Sequence, residues 1–230
     1  MRLDTVFSVG EGECALRDLP QPLDLGELVA GDGSWEVELG FGKGRYLLRR
    51  AVEHPQRRFL GIELVSKYYR LLHRRARRRA LANLLVVRGE ALYLLSAVLP
   101  KGFAATVHVY FPDPWPKSRH HKRRLFDPET VDLIVGALSP GGELYFATDH
   151  LEYGERVCEI LQDYPGLTVE PRATSWDDGA RTNYEAKYVD ERRPILRLRA
   201  LNAEDAVPGS IHPRGKSGIL AATALHGSPP

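Results

Sequence analysis

From Ser34 onward, apolar runs of strand length alternate with longer stretches patterned like helices, and this alternation constrains the fold more than any other feature of the chain. The runs predict strands at residues 35–39, 58–63, 84–87, 106–111 and 143–147, with helices at 44–53, 66–82, 91–99, 128–138 and 151–164. Strands alternating with helices imply βαβ units. The expected fold is α/β: a Rossmann-like, mostly parallel seven-stranded sheet with helices on both faces. Such sheets bind ligands at the carboxyl ends of their strands, near the point where strand order reverses. Residues 172–183 read as a loop and residues 184–198 as one or two last strands. Residues 1–33, with Pro20, Pro22, Gly26, Gly31 and Gly33, read as an irregular lead-in with room for one short helix, and residues 34–200 as the single domain. Residues 201–230, rich in Pro and Gly from Ala206, read as a disordered tail.

Composition excludes several classes. Hydrophobic residues are 43% and charged residues 27% of the 230, as in an ordinary soluble domain. No apolar run approaches the roughly 20 residues of a membrane helix, and Met1-Arg2-Leu3-Asp4 opens no signal-peptide pattern. The expected compartment is the cytoplasm. Cys14 and Cys158 are far apart and read as reduced thiols, with no metal-ligand spacing. The formal net charge of +2 hides two acid-free basic blocks: Lys67, Arg70, Arg74, Arg75, Arg77, Arg78 and Arg79, then Lys117, Arg119, Lys122, Arg123 and Arg124. Two such blocks suggest a surface for a polyanion, although the first is equally readable as a solvated helix face.

The chemistry-bearing residues fall just after strands. Glu38-Leu39-Gly40-Phe41-Gly42-Lys43-Gly44 ends the first strand and opens a helix. A glycine turn there serves both dinucleotide-binding and methyl-donor-binding sheets. A dinucleotide fingerprint is G-x-G-x-x-G, and here Arg45 stands where its third glycine would be. Glu38 would repel a pyrophosphate but can accept bonds from a cationic amino-acid head group. Glu63, ending the second strand, is placed to take the hydroxyls of a ribose. Glu90, after the third, is placed to meet an adenine edge.

Residues 107–117, Val-His-Val-Tyr-Phe-Pro-Asp-Pro-Trp-Pro-Lys, are the most unusual stretch. Three prolines fix φ around Asp113, Trp115 and Lys117. A rigid loop at the active face suits the positioning of a substrate. The cations of Ser118-Arg119-His120-His121-Lys122-Arg123-Arg124 suit phosphate contact. His120 and His121, without a nearby Cys or third His, are poor zinc candidates, and no metal is expected. Trp35 and Trp176 read as packing residues.

Tyr110 to Lys117 followed by Arg119 to Leu125 resembles the signature of the bacterial tRNA (guanine-N7)-methyltransferases. The loop at residues 38–45, Gly61-Ile62-Glu63, Ala147-Thr148-Asp149-His150 and Arg181-Thr182-Asn183-Tyr184-Glu185 resemble the remaining motifs of that family, in order, from Ser34 to Leu198. The resemblance implies a class I methyltransferase fold and S-adenosylmethionine as methyl donor, held by Glu38, Gly40, Gly42, Glu63, Glu90 and Asp113, with Asp113 also bordering the reaction. It implies substrate contacts from Lys117, Asp149, Thr182, Asn183, Tyr184 and Glu185. RNA contacts are implied from Arg119, His120, His121, Lys122, Arg123 and Arg124. The implied substrate is guanine 46 in the variable loop of tRNA, with the enzyme a monomer or homodimer. Glu90 departs from the Asp usual in the family.

Chemistry adds roles. A carboxylate fits N1–H and the N2 amine of guanine and meets N1 of adenine unfavourably, which suits Asp149 and Glu185. Lys117 can donate to O6 or to a phosphate. Three rival readings remain: an exocyclic-amine methyltransferase, whose Asp-Pro-Pro-aromatic loop Asp113-Pro114-Trp115 partly matches; a non-catalytic RNA-binding protein; and a nicotinamide oxidoreductase, disfavoured by the glycine spacing and Glu38.

Overall fold

All five residues of strand Trp35–Leu39 are buried. Continuous burial without alternation marks a strand covered on both faces. The structure, a computed structural model, describes residues 6–9, 12–15, 24–115, 124–128, 130–170 and 173–205. In chain order the strands are β1 (Val6–Val9), β2 (Gly12–Ala15), β3 (Trp35–Leu39), β4 (Arg58–Glu63), β5 (Leu84–Arg88), β6 (Ala104–Tyr110), β7 (Leu138–Thr148), β8 (Leu167–Val169) and β9 (Leu196–Asn202). The helices are α1 (Arg45–Glu53), α2 (Ser66–Arg77), α3 (Ala91–Ala97), α4 (Val131–Val135), α5 (Leu151–Gln162) and α6 (Asn183–Asp190).

The sheet order is β2-β1-β5-β4-β3-β6-β7-β9-β8. β5, β4, β3, β6 and β7 run parallel, and β9 is antiparallel to β7 and β8. From β3 the chain moves outward through β4 to β5, then returns to lay β6 on the other side of β3. That reversal opens a crevice at the carboxyl ends of β3 and β6. Side-chain alternation along β4 shows both faces at work. Phe59 packs with Leu47 and Ala51 of α1 and with Tyr69, Leu72 and Ala76 of α2. Leu60 and Ile62 point the other way, into the core built with α3, α4 and α5.

The expected mostly parallel seven-stranded sheet is present as β3 to β9, and it is longer than expected. The lead-in, read as irregular, supplies an antiparallel hairpin, β1 and β2, that adds to the outer side of β5. Residues 184–198 also differ from expectation, because most of their first half is helix α6 rather than strand. Thr182 caps it, accepting from the Glu185 amide at 3.0 Å. Thr-x-x-Glu is a helix-start pattern, and the local capping bond outweighs strand propensity. The tail from residue 206 lies outside the described residues.

Candidate active site

The loop after β3 turns through three left-handed glycines, with φ of 73° at Gly40, 54° at Gly42 and 64° at Gly44. A side chain would strain each of them. At Gly40 and Gly42 an added Cβ would meet nothing within 4 Å, so the backbone there borders open space. Glu63 fixes the loop from below: Oε2 accepts from the Gly42 amide at 2.8 Å and Oε1 from the Val65 amide at 2.8 Å. A carboxylate offers about four acceptor sites, so Glu63 retains capacity on the cleft it lines.

Two adjoining clefts meet over this loop. The first, about 490 Å³, is walled by Gly40, Glu63, Glu90, Asp113, Trp115 and Asp149 among others. The second, about 330 Å³, is lined by Glu38, Gly42, Tyr46, Thr182, Asn183 and Tyr184 among others. Tyr68, Tyr110 and Phe111 border both. Folding thus collects ten of the sequence-selected residues — Glu38, Gly40, Gly42, Glu63, Glu90, Asp113, Asp149, Thr182, Asn183 and Tyr184 — around one composite cavity.

Their environments differ. Glu38 is 2% exposed and its Oε2 has no hydrogen-bond partner. Burial pushes its carboxyl up to about 8, a backbone bond from Leu47 opposes this, Glu63 adds repulsion, and Arg181 draws it back. Glu90 caps α3, accepting from the Leu92 and Tyr93 amides at 3.0 and 2.7 Å. Asp149 receives Arg193 at 2.8 Å. Asp113 sits between Phe111 and Trp115, both non-glycine residues at positive φ, 52° and 40°. Held strain of this kind concentrates at functional loops.

Two of the expected contact residues are turned inward in this structure. Glu185 does not line either cleft. It is fully buried, bonded to Arg197 Nε at 2.7 Å and to the Arg181 amide at 2.8 Å. Burying a carboxylate demands this pairing. Arg124 is also turned inward. It is 8% exposed, donates Nε to the Pro114 carbonyl at 2.7 Å and lies over the Tyr153 ring. It braces the proline loop. Lys117, Arg119, His120, His121, Lys122 and Arg123 lie outside the described residues.

Sequence reasoning selected Tyr184 but missed the aromatic rim that it forms with Phe111 and Tyr188, and it missed a buried network. Phe111, Tyr184 and Tyr188 cluster with ring centroids 5.5 to 6.4 Å apart, and Tyr184 is 54% exposed. Phe111 adjoins the singled-out prolines, which was the available signal. Arg181 sits 4.5 Å from the Tyr145 and Trp176 ring centroids and donates to the Tyr110 hydroxyl at 2.6 Å. Tyr110 also bonds Nδ1 of His108 at 2.8 Å. Burial lowers the His108 pKa despite its bond to Glu36. Bonds from His108 and Arg50 hold Glu36 well below the usual carboxylate range, although burial alone would raise it. Trp35 and Trp176 are both buried. Among the described residues no group of three or more His, Cys, Asp or Glu could hold a metal ion, and no helix is long and apolar enough to cross a membrane.

The fold and its glycine-and-acid cleft define the methyltransferase class. Residues 32–198 match the family model described as "Putative methyltransferase". The fold is similar to the solved 30S ribosomal A1408 methyltransferase from an uncultured bacterium, at 18% identity and TM-score 0.63 over 86% of this chain and 99% of that one. The tRNA (guanine-N(7)-)-methyltransferase of Nitrosococcus oceani is 36% identical over 188 residues, 80% of this chain and 78% of its own length. That of Bordetella parapertussis is 36% identical over 178 residues, 76% of this chain and 70% of its own. The chain belongs to the tRNA (guanine-N(7)-)-methyltransferase family.

Proposed function

We propose that this enzyme transfers the methyl group of S-adenosylmethionine to N7 of guanine 46 in the variable loop of tRNA, in the cytoplasm, as a monomer or homodimer. The observation that carries the reading is Glu38: a buried carboxylate with an unpartnered oxygen, lining a chamber beside a left-handed glycine turn. An orphaned buried acceptor is costly unless a donor arrives, and a cationic amino-acid head group is such a donor. Glu63 and Glu90 keep acceptor capacity along the adjoining wall for hydroxyls and a base edge. S-adenosylmethionine, when bound, supplies a methyl group carried on a sulfonium.

N7 of guanine already has an in-plane lone pair, so this chain need not remove a proton before attack. Its task is to hold the base in line and exclude water. The Phe111, Tyr184 and Tyr188 rings offer stacking surface for a base. Stacking on aromatic side chains contributes about 1–3 kcal/mol per base. Asp149 is the acid suited to N1–H and the N2 amine of guanine, while Glu185 supports it indirectly by anchoring the start of α6. Asp113 borders the site where positive charge develops on the base and stabilises it electrostatically. Lys117 and the cations at 119–123 are assigned to the substrate on sequence alone. Variable-loop guanines engaged in tertiary pairing must be exposed first, which costs a few kcal/mol of unstacking.

The test is methyl transfer from labelled S-adenosylmethionine to unmodified tRNA transcripts, with borohydride and aniline cleavage of the product. Label at a single aniline-sensitive guanine in the variable loop is expected. Label resistant to aniline would transfer the reading to an exocyclic amine, and tRNA binding without label would reduce the protein to a binding module.

A further inference from the structure

Helix α2 carries a second basic surface, and its geometry distinguishes function from ordinary solvation. Lys67, Arg70, Arg74 and Arg78 are all exposed. On a helix of 3.6 residues per turn they fall within about 80° of arc and span roughly 17 Å. The opposite face, Tyr69, Leu72 and Ala76, is buried against β4 and β5. Two further arginines are used by the chain itself: Arg75 donates to the Lys43 carbonyl at 3.0 Å and Arg79 to the Arg75 carbonyl at 3.3 Å. Arg70 gives one N–H to Ser66 at 2.7 Å and keeps the rest.

Three other helices each place an acid within reach of a cation on their outer side. Arg49 pairs with Glu53 on α1, Arg156 with Glu159 on α5, and Lys187 with Glu191 on α6. On α2 there is no acid to play that part, and among the described residues no carboxylate pairs with Lys67, Arg70, Arg74 or Arg78. Arg70, Arg74 and Arg78 repeat at i,i+4, a spacing at which like charges destabilise a helix. Lys67 sits in the first turn, where the helix dipole also opposes a cation. The helix dipole favours Arg74 and Arg78 at the C-terminal end, but among the described residues no carboxylate relieves the mutual repulsion of the stripe, which is left open to an external anion. The stripe begins at the cavity mouth: Val65 and Tyr68 line the first cleft, and exposed Lys43 and Arg45 line the second.

We infer that Lys67, Arg70, Arg74 and Arg78 form a track for the phosphate backbone of the RNA whose base enters the cleft. This rests on the tRNA reading and adds a docking surface to it. Phosphate contacts position a nucleic acid without reading sequence and make binding salt-dependent.

The experiment is a salt titration of tRNA affinity for the wild type and for the Lys67→Gln/Arg70→Gln/Arg74→Gln variant. Each lost phosphate contact reduces the slope of log K against log salt by about 0.7–0.9. The triple variant should therefore lose about 2 to 3 in slope and show a raised KM for tRNA, with affinity for S-adenosylmethionine unchanged. Arg70→Lys/Arg74→Lys, which keeps the charge, should restore the wild-type slope and separates phosphate contact from packing. An unchanged slope in the triple variant overturns the track even if the wild type methylates tRNA. A reduced slope with no methylation by the wild type upholds the track and sinks the catalytic reading. Loss of binding to phosphatidylserine vesicles, with tRNA affinity intact, would assign the stripe to a membrane surface and overturn it for RNA.

Discussion

Glu38 bears a cost that folding alone does not recover. Its carboxyl is buried with one oxygen unpartnered, and burial raises its pKa to about 8. A raised carboxyl pKa means the folded state binds more protons than the unfolded state between about pH 4.5 and 8. Stability from this group therefore falls as pH rises through that window, by up to about 1.4 kcal/mol per pH unit. Glu38→Gln should remove that slope, melt higher than the wild type at pH 8.5, and bind S-adenosylmethionine weakly. A variant that kept wild-type affinity would remove Glu38 from the donor site. Asp113 is the opposite case, a residue of the strained proline loop facing the larger cleft. Asp113→Ala should lower kcat on the order of 10²-fold, the scale of losing one electrostatic stabiliser, and full turnover would end its assigned role. Glu38 and Asp113 were legible because strand ends are legible. The partners of Glu185 were not, because Arg197 meets it only once α6 and β9 are folded together.

At the scale of elements, the glycine turn and β4 make a contrast that substitution can read. At Gly61 an added Cβ would stand 2.5 Å from Leu47 Cδ2 and 2.8 Å from Phe41 Cδ1. Gly61→Ala overpacks the α1 face of the sheet and should cost about 1–3 kcal/mol in urea unfolding, with little effect on donor affinity of the folded protein. Gly40 has φ of 73° but open space beside it. Gly40→Ala should cost about 1–2 kcal/mol from its left-handed backbone and also place a methyl at the cleft wall. Its donor affinity should fall at least tenfold, about 1.4 kcal/mol. Equal affinity losses in both variants would refute this division between packing and binding. The positions of both glycines were readable, but which one packs and which one faces the cleft was not, since that depends on α1 crossing β4. Helix α6 was missed for a different reason. Its start signal, Thr182 to Glu185, was read for chemistry rather than for capping.

For the whole molecule, alternation from Ser34 gave the α/β class and the parallel centre, because buried parallel strands are continuous apolar runs. The hairpin β1–β2 and strand β8 are three or four residues each, too short for any period to emerge. The hairpin nonetheless occupies an exposed position in the logic of the sheet. β5 is buried along Leu84–Val87 and pairs with β4 on one side and β1 on the other, through Val6 to Ser8. Without β1 it becomes an apolar edge with unpaired backbone groups, a template for association with another chain. A protein lacking residues 1–15 should therefore form higher-order species in size-exclusion chromatography with light scattering. Donor affinity per folded chain should persist, because the cavity is built from residues 38 onward. Substituting Lys for Val86 would not be a clean rescue, since Val86 is fully buried under α2. Restoring the hairpin in full is the appropriate control. A truncated protein that stays monodisperse at the concentration where the full chain does would show that β1 and β2 do not guard this edge, and that the outer face of β5 is protected by its own twist or by the residues that follow it.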